Sequence, residues 1–256
     1  MSTWITGDFH GNPIRLSTDN FYEQKEFTGS KDENVIIQLG DFGLVWEQNK
    51  ESKNEKHWLD WLESKPFTTV FVDGNHESFT RLYQYPVKEW HGGKVHEIRP
   101  HVLHLMRGEV FTIEDKKFFV FGGASSHDIQ DGILDYEDED WREQAKNLEK
   151  HGKYMYRVKG LSWWEEEMPS QEEMDHGRVN LQKHNNKVDY IITHSPSAST
   201  IALLGQGMYE QDILTKYLEE IRCNNEYKKM FSGHMHLNKA INDKDILLYE
   251  QIIRVV

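Results

Sequence analysis

The chain has a single cysteine, Cys223, so a disulfide within it is excluded and nothing in its thiol content points to an oxidising compartment. Positive charge is also scarce: 30 Lys and Arg stand against 43 Asp and Glu, a net charge of −13. Such a surface repels a nucleic-acid backbone unless it carries a local basic groove, and no Lys/Arg cluster in the sequence supplies one. Long DNA or RNA is therefore disfavoured as a partner. No apolar run approaches the ~18 residues of a membrane span, and no internal repeat or low-complexity tract is present. Met1-Ser2-Thr3-Trp4 leads directly into a strand pattern without a signal-peptide pattern. The expectation is a cytoplasmic protein with no membrane partner.

What is present is enough apolar material for a large core. Hydrophobic residues make up 37% of the 256, with 8 Trp, 12 Phe and 11 Tyr, which excludes disorder. The length suits one layered domain, 1–256, carrying an insertion. Five short apolar runs read as buried strands: Thr3–Thr6, Val35–Leu39, Val70–Val72, Tyr190–Thr193 and Met230–Ser232. Each ends in Gly, Asp, Asn or His. In an open α/β sheet, ligands bind beyond the carboxyl ends of the strands, so five polar strand ends can converge on one site. Val102–Met106, Glu109–Ile113 and Lys117–Phe121 are spaced as antiparallel hairpins, and Ile246–Val255 also reads as strand. Helical spacing appears over Glu55–Glu63 and Gln211–Arg222, and Ser170 with Glu173 forms a capping box that starts a third helix. Residues 126–169 differ in composition. They hold the acidic run 135–140, a basic and aromatic stretch and Trp163-Trp164, and read as an insertion beside the strand-end face.

Five clusters carry the chemistry. Gly7-Asp8-Phe9-His10-Gly11-Asn12 places Asp and His two apart after a strand. Gly40-Asp41-Phe42-Gly43 alone is an ordinary strand-ending turn. Gly74-Asn75-His76-Glu77 offers an amide oxygen and a ring nitrogen. His194 follows Thr193, and Gly233-His234-Met235-His236 presents two imidazoles one residue apart, a common way to offer nitrogen to metals. Singly, each has a structural explanation. Their order, each after a strand, does not.

This succession resembles the calcineurin-like metallophosphoesterases over residues 7 to 236. The resemblance implies an α/β fold, a four-layer α-β-β-α sandwich of two mixed sheets flanked by helices, with the segment 126–169 inserted. It implies Asp8, His10 and His236 on one metal, Asn75, His194 and His234 on a second, and Asp41 bridging both. His76 binds no metal in that pattern and acts beside the substrate, with Asn12 a minor phosphate contact. The implied activity is hydrolysis of a phosphomonoester or phosphodiester, of small nucleotide-like size, by a hydroxide bridging two divalent transition metals. Two carboxylates neutralise half the charge of two such ions, and the surplus favours a phosphate ester. The mixed nitrogen and oxygen ligands suit Mn first, with Fe, Zn or Ni as alternatives, better than Ca.

Departures from the family pattern narrow the reading. The protein-phosphatase branch has Asp-Arg-Gly after its second Asp, whereas here Asp41 precedes Phe42-Gly43-Leu44-Val45-Trp46. Small phosphodiesterases of the superfamily often have Cys where His76 stands, so monoester cleavage stays open. Gly122-Gly123-Ala124-Ser125-Ser126-His127-Asp128 with Leu161-Ser162-Trp163-Trp164 is similar to a bacterial and phage branch. His127 and Asp128 are candidates to border the site. Trp163 and Trp164 are candidates to stack on a base, and Arg142 and Arg157 to bind a substrate phosphate. Rival readings are a nuclease acting on DNA or RNA ends, which the net charge opposes, and an inactive binding scaffold, which the full ligand set opposes. A zinc amidohydrolase would need an early His-x-His, and the only one here is near the C-terminus.

Overall fold

The computed structural model describes residues 2–205 and 211–256. Two sheets face each other. The first has seven strands in the order β15-β1-β2-β3-β6-β5-β4. These are β1 (Ser2–Thr6), β2 (Asn34–Gln38), β3 (Thr68–Phe71), β4 (Val87–Trp90), β5 (Gly93–Arg99), β6 (Val102–Leu105) and β15 (Ile252–Arg254). β1, β2, β3 and β6 run parallel, with antiparallel strands at both edges. The second has six strands, ordered β13-β14-β12-β11-β8-β7. They are β7 (Val110–Ile113), β8 (Lys116–Phe121), β11 (Tyr190–Thr193), β12 (Lys229–Ser232), β13 (Lys239–Ala240) and β14 (Asp245–Leu247). Here β8, β11, β12 and β14 are the parallel set.

Alternation along each strand divides the core into layers. Val35, Ile37, Val70 and Val72 of the first sheet meet Phe118, Val120, Tyr190 and Ile192 of the second. Strands buried on both faces must be apolar at every position, which is why these runs lack hydrophobic alternation. The outer face of the first sheet, with Ile36 and Phe71, packs on Leu59 and Leu62 of α1 (Lys53–Glu63). The outer face of the second, with Phe119, Phe121 and Ile191, is covered by α4 (Gln171–Lys183) and α6 (Ile213–Asn224). The four-layer sandwich expected from the sequence is the fold observed. Ser52, Ser170 and Asp212 cap α1, α4 and α6 through reciprocal capping boxes. Between α1 and α4 the chain also forms α2 (Phe79–Leu82) and α3 (Trp141–Lys150), and α5 (Ala198–Gly205) precedes α6.

Several local expectations need correction. Val102–Met106 forms no hairpin with Glu109–Ile113: β6 pairs parallel with β3 and antiparallel with β5, so the chain changes sheets between β6 and β7. Only β7 and β8 form the expected hairpin, through Glu114 and Asp115, both at positive φ as a tight two-residue hairpin turn requires. Ile246–Val255 is not one strand but β14 and β15, in different sheets. Residues 126–169 contain β9 (Gly132–Asp135) and β10 (Tyr156–Lys159), a parallel pair of their own, with α3 beside them. Leu134, Ala145 and Val158 form a small separate core there. No helix among the described residues is long and apolar enough to cross a membrane.

A buried pair of stacked histidines lies on the first sheet. His96 Nδ1 and His104 Nδ1 are 2.9 Å apart, and His104 Nε2 is 3.1 Å from Asp73 Oδ1. Burial, with His104 beside it, pulls His96 down to about 4. A histidine depressed in the fold relative to the unfolded chain contributes stability above pH ~6.5 and loses it as the pH falls through 4. His96→Gln cannot titrate, so the stability gap between wild type and variant should shrink from pH 7.5 to pH 5. Urea denaturation at both values measures it, and an unchanged gap would contradict the assignment.

Candidate metal centre

The carboxyl ends of β1, β2, β3, β11 and β12 meet where the two sheets abut, and the five sequence clusters arrive there together. Asp8, His10, Asp41 and His236 each offer a donor atom within 4.8 Å of the others, and Asp41, His194 and His234 form a second such group. Asp41 belongs to both. Asp8 and Asp41 are 0% and 2% exposed. His10 Nε2 lies 3.8 Å from Asp8 Oδ2 and 3.8 Å from Asp41 Oδ2, and His236 Nε2 lies 3.3 Å from Asp8 Oδ2. His194 Nε2 is 3.2 Å from Asp41 Oδ1, while its Nδ1 is fixed at 2.6 Å from Leu39 O.

The backbone is bent to achieve this. His10, Asp41, His234 and His236 have φ of 46°, 50°, 64° and 49°, in the left-handed region that non-glycine residues enter at a cost of about 1–3 kcal/mol. Each turns the chain sharply just past a strand. The neighbouring glycines are required by close approach. A Cβ on Gly74 would sit 2.2 Å from Asp41 Oδ1, and one on Gly40 would sit 2.4 Å from His194 Nδ1. Glu77 ties two of the loops, accepting from Phe42 N and Gly74 N at 2.6 Å each. Burial and nearby Asp41 push its carboxyl up to about 8.

Electrostatics separates the donors into roles. Burial would raise the Asp41 carboxyl, but His194, with His76 and His234 behind it, holds it well below the usual range. Burial likewise opposes charge on His194, yet Asp41 and Asp8 raise it to about 10. Burial lowers His10, His76, His127 and, most strongly, His234, while the Asp8 carboxylate beside it raises His236. Three buried polar atoms here make no well-aligned hydrogen bond within the protein, though two of them lie close to opposite charge: Asp8 Oδ2, Asn75 Oδ1 and His194 Nε2. Buried polar atoms are rarely left unpaired, and these three aim a carboxylate, an amide oxygen and an imidazole into one place. That donor set fits divalent cations.

Residues that the sequence alone did not mark hold these candidate ligands in place. Ser126 Oγ donates to Glu167 Oε2 at 2.6 Å, and so is free to accept from Asn75 Nδ2 at 3.3 Å. This fixes which end of the Asn75 amide points outward and leaves Oδ1 facing the cluster. Arg15 Nη2 donates to Asp8 O at 2.7 Å, bracing the first loop. Trp46 stacks on His76 with centroids 5.4 Å apart. Ser126, Glu167 and Trp46 lie inside stretches that the sequence singled out, but no spacing signals the role of Glu167 or of Arg15.

The remaining candidates divide. Arg157 reaches the centre: its Nη2 is 3.3 Å from His76 Nε2, its Nη1 donates to Asn75 O at 3.3 Å, and its Nε pairs with Asp128. His127 Nε2 lies 2.8 Å from His234 Nε2. Asn12 spends its amide oxygen on Ile14 N in a local turn. Trp164 is 4% exposed and packed in the core, so it has no open face for a base. Trp163 has its indole N–H tied to Glu167 Oε1 at 3.0 Å. Arg142 stacks on Trp141, in a cleft beyond Trp46.

Buried carboxylates and imidazoles gathered at parallel strand ends of a four-layer sandwich make a metal-dependent hydrolytic centre. The family description for calcineurin-like phosphoesterases matches residues 1–238. The chain belongs to that family and is a metal-dependent phosphoesterase. Among solved structures it is similar to a phosphopantetheinyl hydrolase from Mycobacterium tuberculosis, at 16% identity and a TM-score of 0.46, over 97% of this chain and 88% of that one. No curated protein matches the sequence.

The hydrogen-bond chain behind Asn75 gives a direct test. Ser126→Ala removes the acceptor that orients the amide, and metal affinity should fall about 10–100-fold, as for other residues that orient a ligand. Ser126→Thr should restore it. Titration calorimetry with Mn²⁺ reads the change, and equal affinity in Ser126→Ala would contradict the role.

Proposed function

We propose that the chain hydrolyses a phosphomonoester or phosphodiester of nucleotide size with two divalent ions, manganese being the first choice. Asp8, His10 and His236 would hold one ion, Asn75, His194 and His234 the other, with Asp41 shared. The observation that carries this reading is that Asp8 Oδ2, Asn75 Oδ1 and His194 Nε2, buried without a well-aligned hydrogen bond, lie with two donor groups that have Asp41 in common. Two ions bound there would supply Lewis acidity toward the phosphate and an activated water.

The chain's own residues do the rest. Asp8 and Asp41 each spend one carboxylate oxygen on backbone order. Asp8 Oδ1 accepts from His234 N at 3.1 Å, and Asp41 Oδ1 accepts from Asn75 N at 2.9 Å and His76 N at 3.0 Å. Their second oxygens face His10 and His236, and Asp41 Oδ1 also lies 3.2 Å from His194 Nε2. His76 stands at the edge of the cluster, between the His10 ring at 5.0 Å and the Trp46 ring. It is placed to give a hydrogen bond or proton to the leaving oxygen, and Arg157 beside it favours negative charge there. The inserted segment, through Arg157 and Ser126, forms one wall of the centre.

Asp41→Ala should lose at least one metal equivalent, read by elemental analysis of desalted protein, and nearly all hydrolysis of Mn-loaded samples. Full activity with two metals retained would overturn the shared-ligand role. His76→Ala should keep both metals and lose about 10²–10⁴-fold in rate. The loss should be larger for alkyl than for p-nitrophenol leaving groups, because poor leaving groups need protonation most. Equal losses for the two would count against a leaving-group role.

A further inference from the structure

Trp46 belongs to two places at once. One side of its ring stacks on His76, with planes 26° apart. The same residue lines a cleft of about 560 Å³ that opens between residues 46–52 and the inserted segment. That volume lies in the ~300–1,000 Å³ range of small-molecule sites.

We propose that this cleft receives the nucleobase of a nucleoside monophosphate ester whose phosphate lies at the metal centre. The inference rests on the phosphoesterase reading given above and names the class of the esterified group. Two further rings face the cleft from the insertion, Tyr136 and Trp141, with centroids 6.0 Å apart. Tyr136 is 38% exposed, so its ring remains open to a ligand. The Arg142 guanidinium lies 4.5 Å over the Trp141 ring and extends the platform. Flat π-faces flanked by a guanidinium hold bases of any sequence by stacking and cation–π attraction. Gln48 and Asn49 on the opposite wall bring side-chain amides, which both donate to and accept from a base edge.

The charged residues in the lining are Arg142 and Lys50, which have no carboxylate partner among the described residues, Glu47, and Glu51, whose carboxylate is taken by Arg99. The geometry also explains why Trp163 and Trp164, the aromatic pair that stands out in the sequence, are not the platform. They are held by Glu167 and the core, while Trp46, Tyr136 and Trp141, scattered in sequence, line one cleft.

The test uses the full Mn-loaded chain and non-hydrolysable phosphonate analogues of ribose 5-phosphate, AMP, GMP, CMP and UMP, titrated by calorimetry. At least one nucleotide analogue should bind about tenfold or more tightly than the ribose analogue, the increment that base stacking provides. Tyr136→Ala with Arg142→Gln should erase that increment, while metal content and affinity for the ribose analogue stay as in wild type. The proposal is overturned if the ribose analogue binds as tightly as all four nucleotides, or if the increment survives in the double variant. If the ribose analogue itself binds no better with metal than without, the phosphoesterase reading fails first and the subsite falls with it.

Discussion

Two carboxylates buried where two sheets meet set the terms for the rest of the molecule. A buried charge must be paired or hydrogen-bonded, or the fold pays several kcal/mol to keep it. Asp8 and Asp41 meet this by dividing their oxygens. One oxygen of each orders the backbone of another loop and the second turns toward an imidazole, while Asp41 Oδ1 also meets His194 Nε2. Every loop that reaches them is shaped to do so. Four site residues adopt left-handed backbone, and glycines stand where any Cβ would strike a carboxylate or a ring. The strain is tolerable because the parallel strands behind these loops are buried on both faces and fix where each loop begins.

A second buried pair extends that order toward the insertion. Asp73, two residues before Asn75, receives Arg107 Nε at 2.9 Å, and Arg107 Nη2 donates to Glu166 O at 2.7 Å. Burial alone would raise the Asp73 carboxyl, but Arg107 and His104 hold it well below the ordinary range. The strand-end loop of β3 is thus tied to the inserted segment's last turn, which in turn supplies Glu167 to Ser126 and Asn75. The insertion is therefore more than a cover over a sheet edge: Arg157 and Ser126 reach through it to the amide and imidazole of the Asn75-His76 pair.

Much of this was legible in the sequence, for a physical reason. Strands buried on both faces read as short continuous apolar runs, and the residues just past them need polar, glycine-bracketed turns, so Asp8, Asp41, Asn75, His194 and His234 stand out by position. Sheet membership was less legible. Val102–Leu105 and Val110–Ile113 have the spacing of a hairpin, yet register is decided by which face is buried against which partner, and these strands pair in different sheets. The insertion was unreadable because its core is only Leu134, Ala145 and Val158 with a few partly buried neighbours, too little to impose a periodic pattern. Residues that orient a ligand from behind, such as Glu167, leave no signal because their partners are brought close only by the fold.

The central claim is that Asp41 joins two cation sites at the strand ends. Anomalous diffraction from crystals of the Mn-loaded protein measures it most directly. The account predicts two peaks, one among Asp8, His10 and His236 and one among Asn75, His194 and His234, with Asp41 touching both at the ~3.5–4 Å spacing of paired-metal phosphoesterases. A single peak, or two peaks with no shared Asp41 contact, would contradict it.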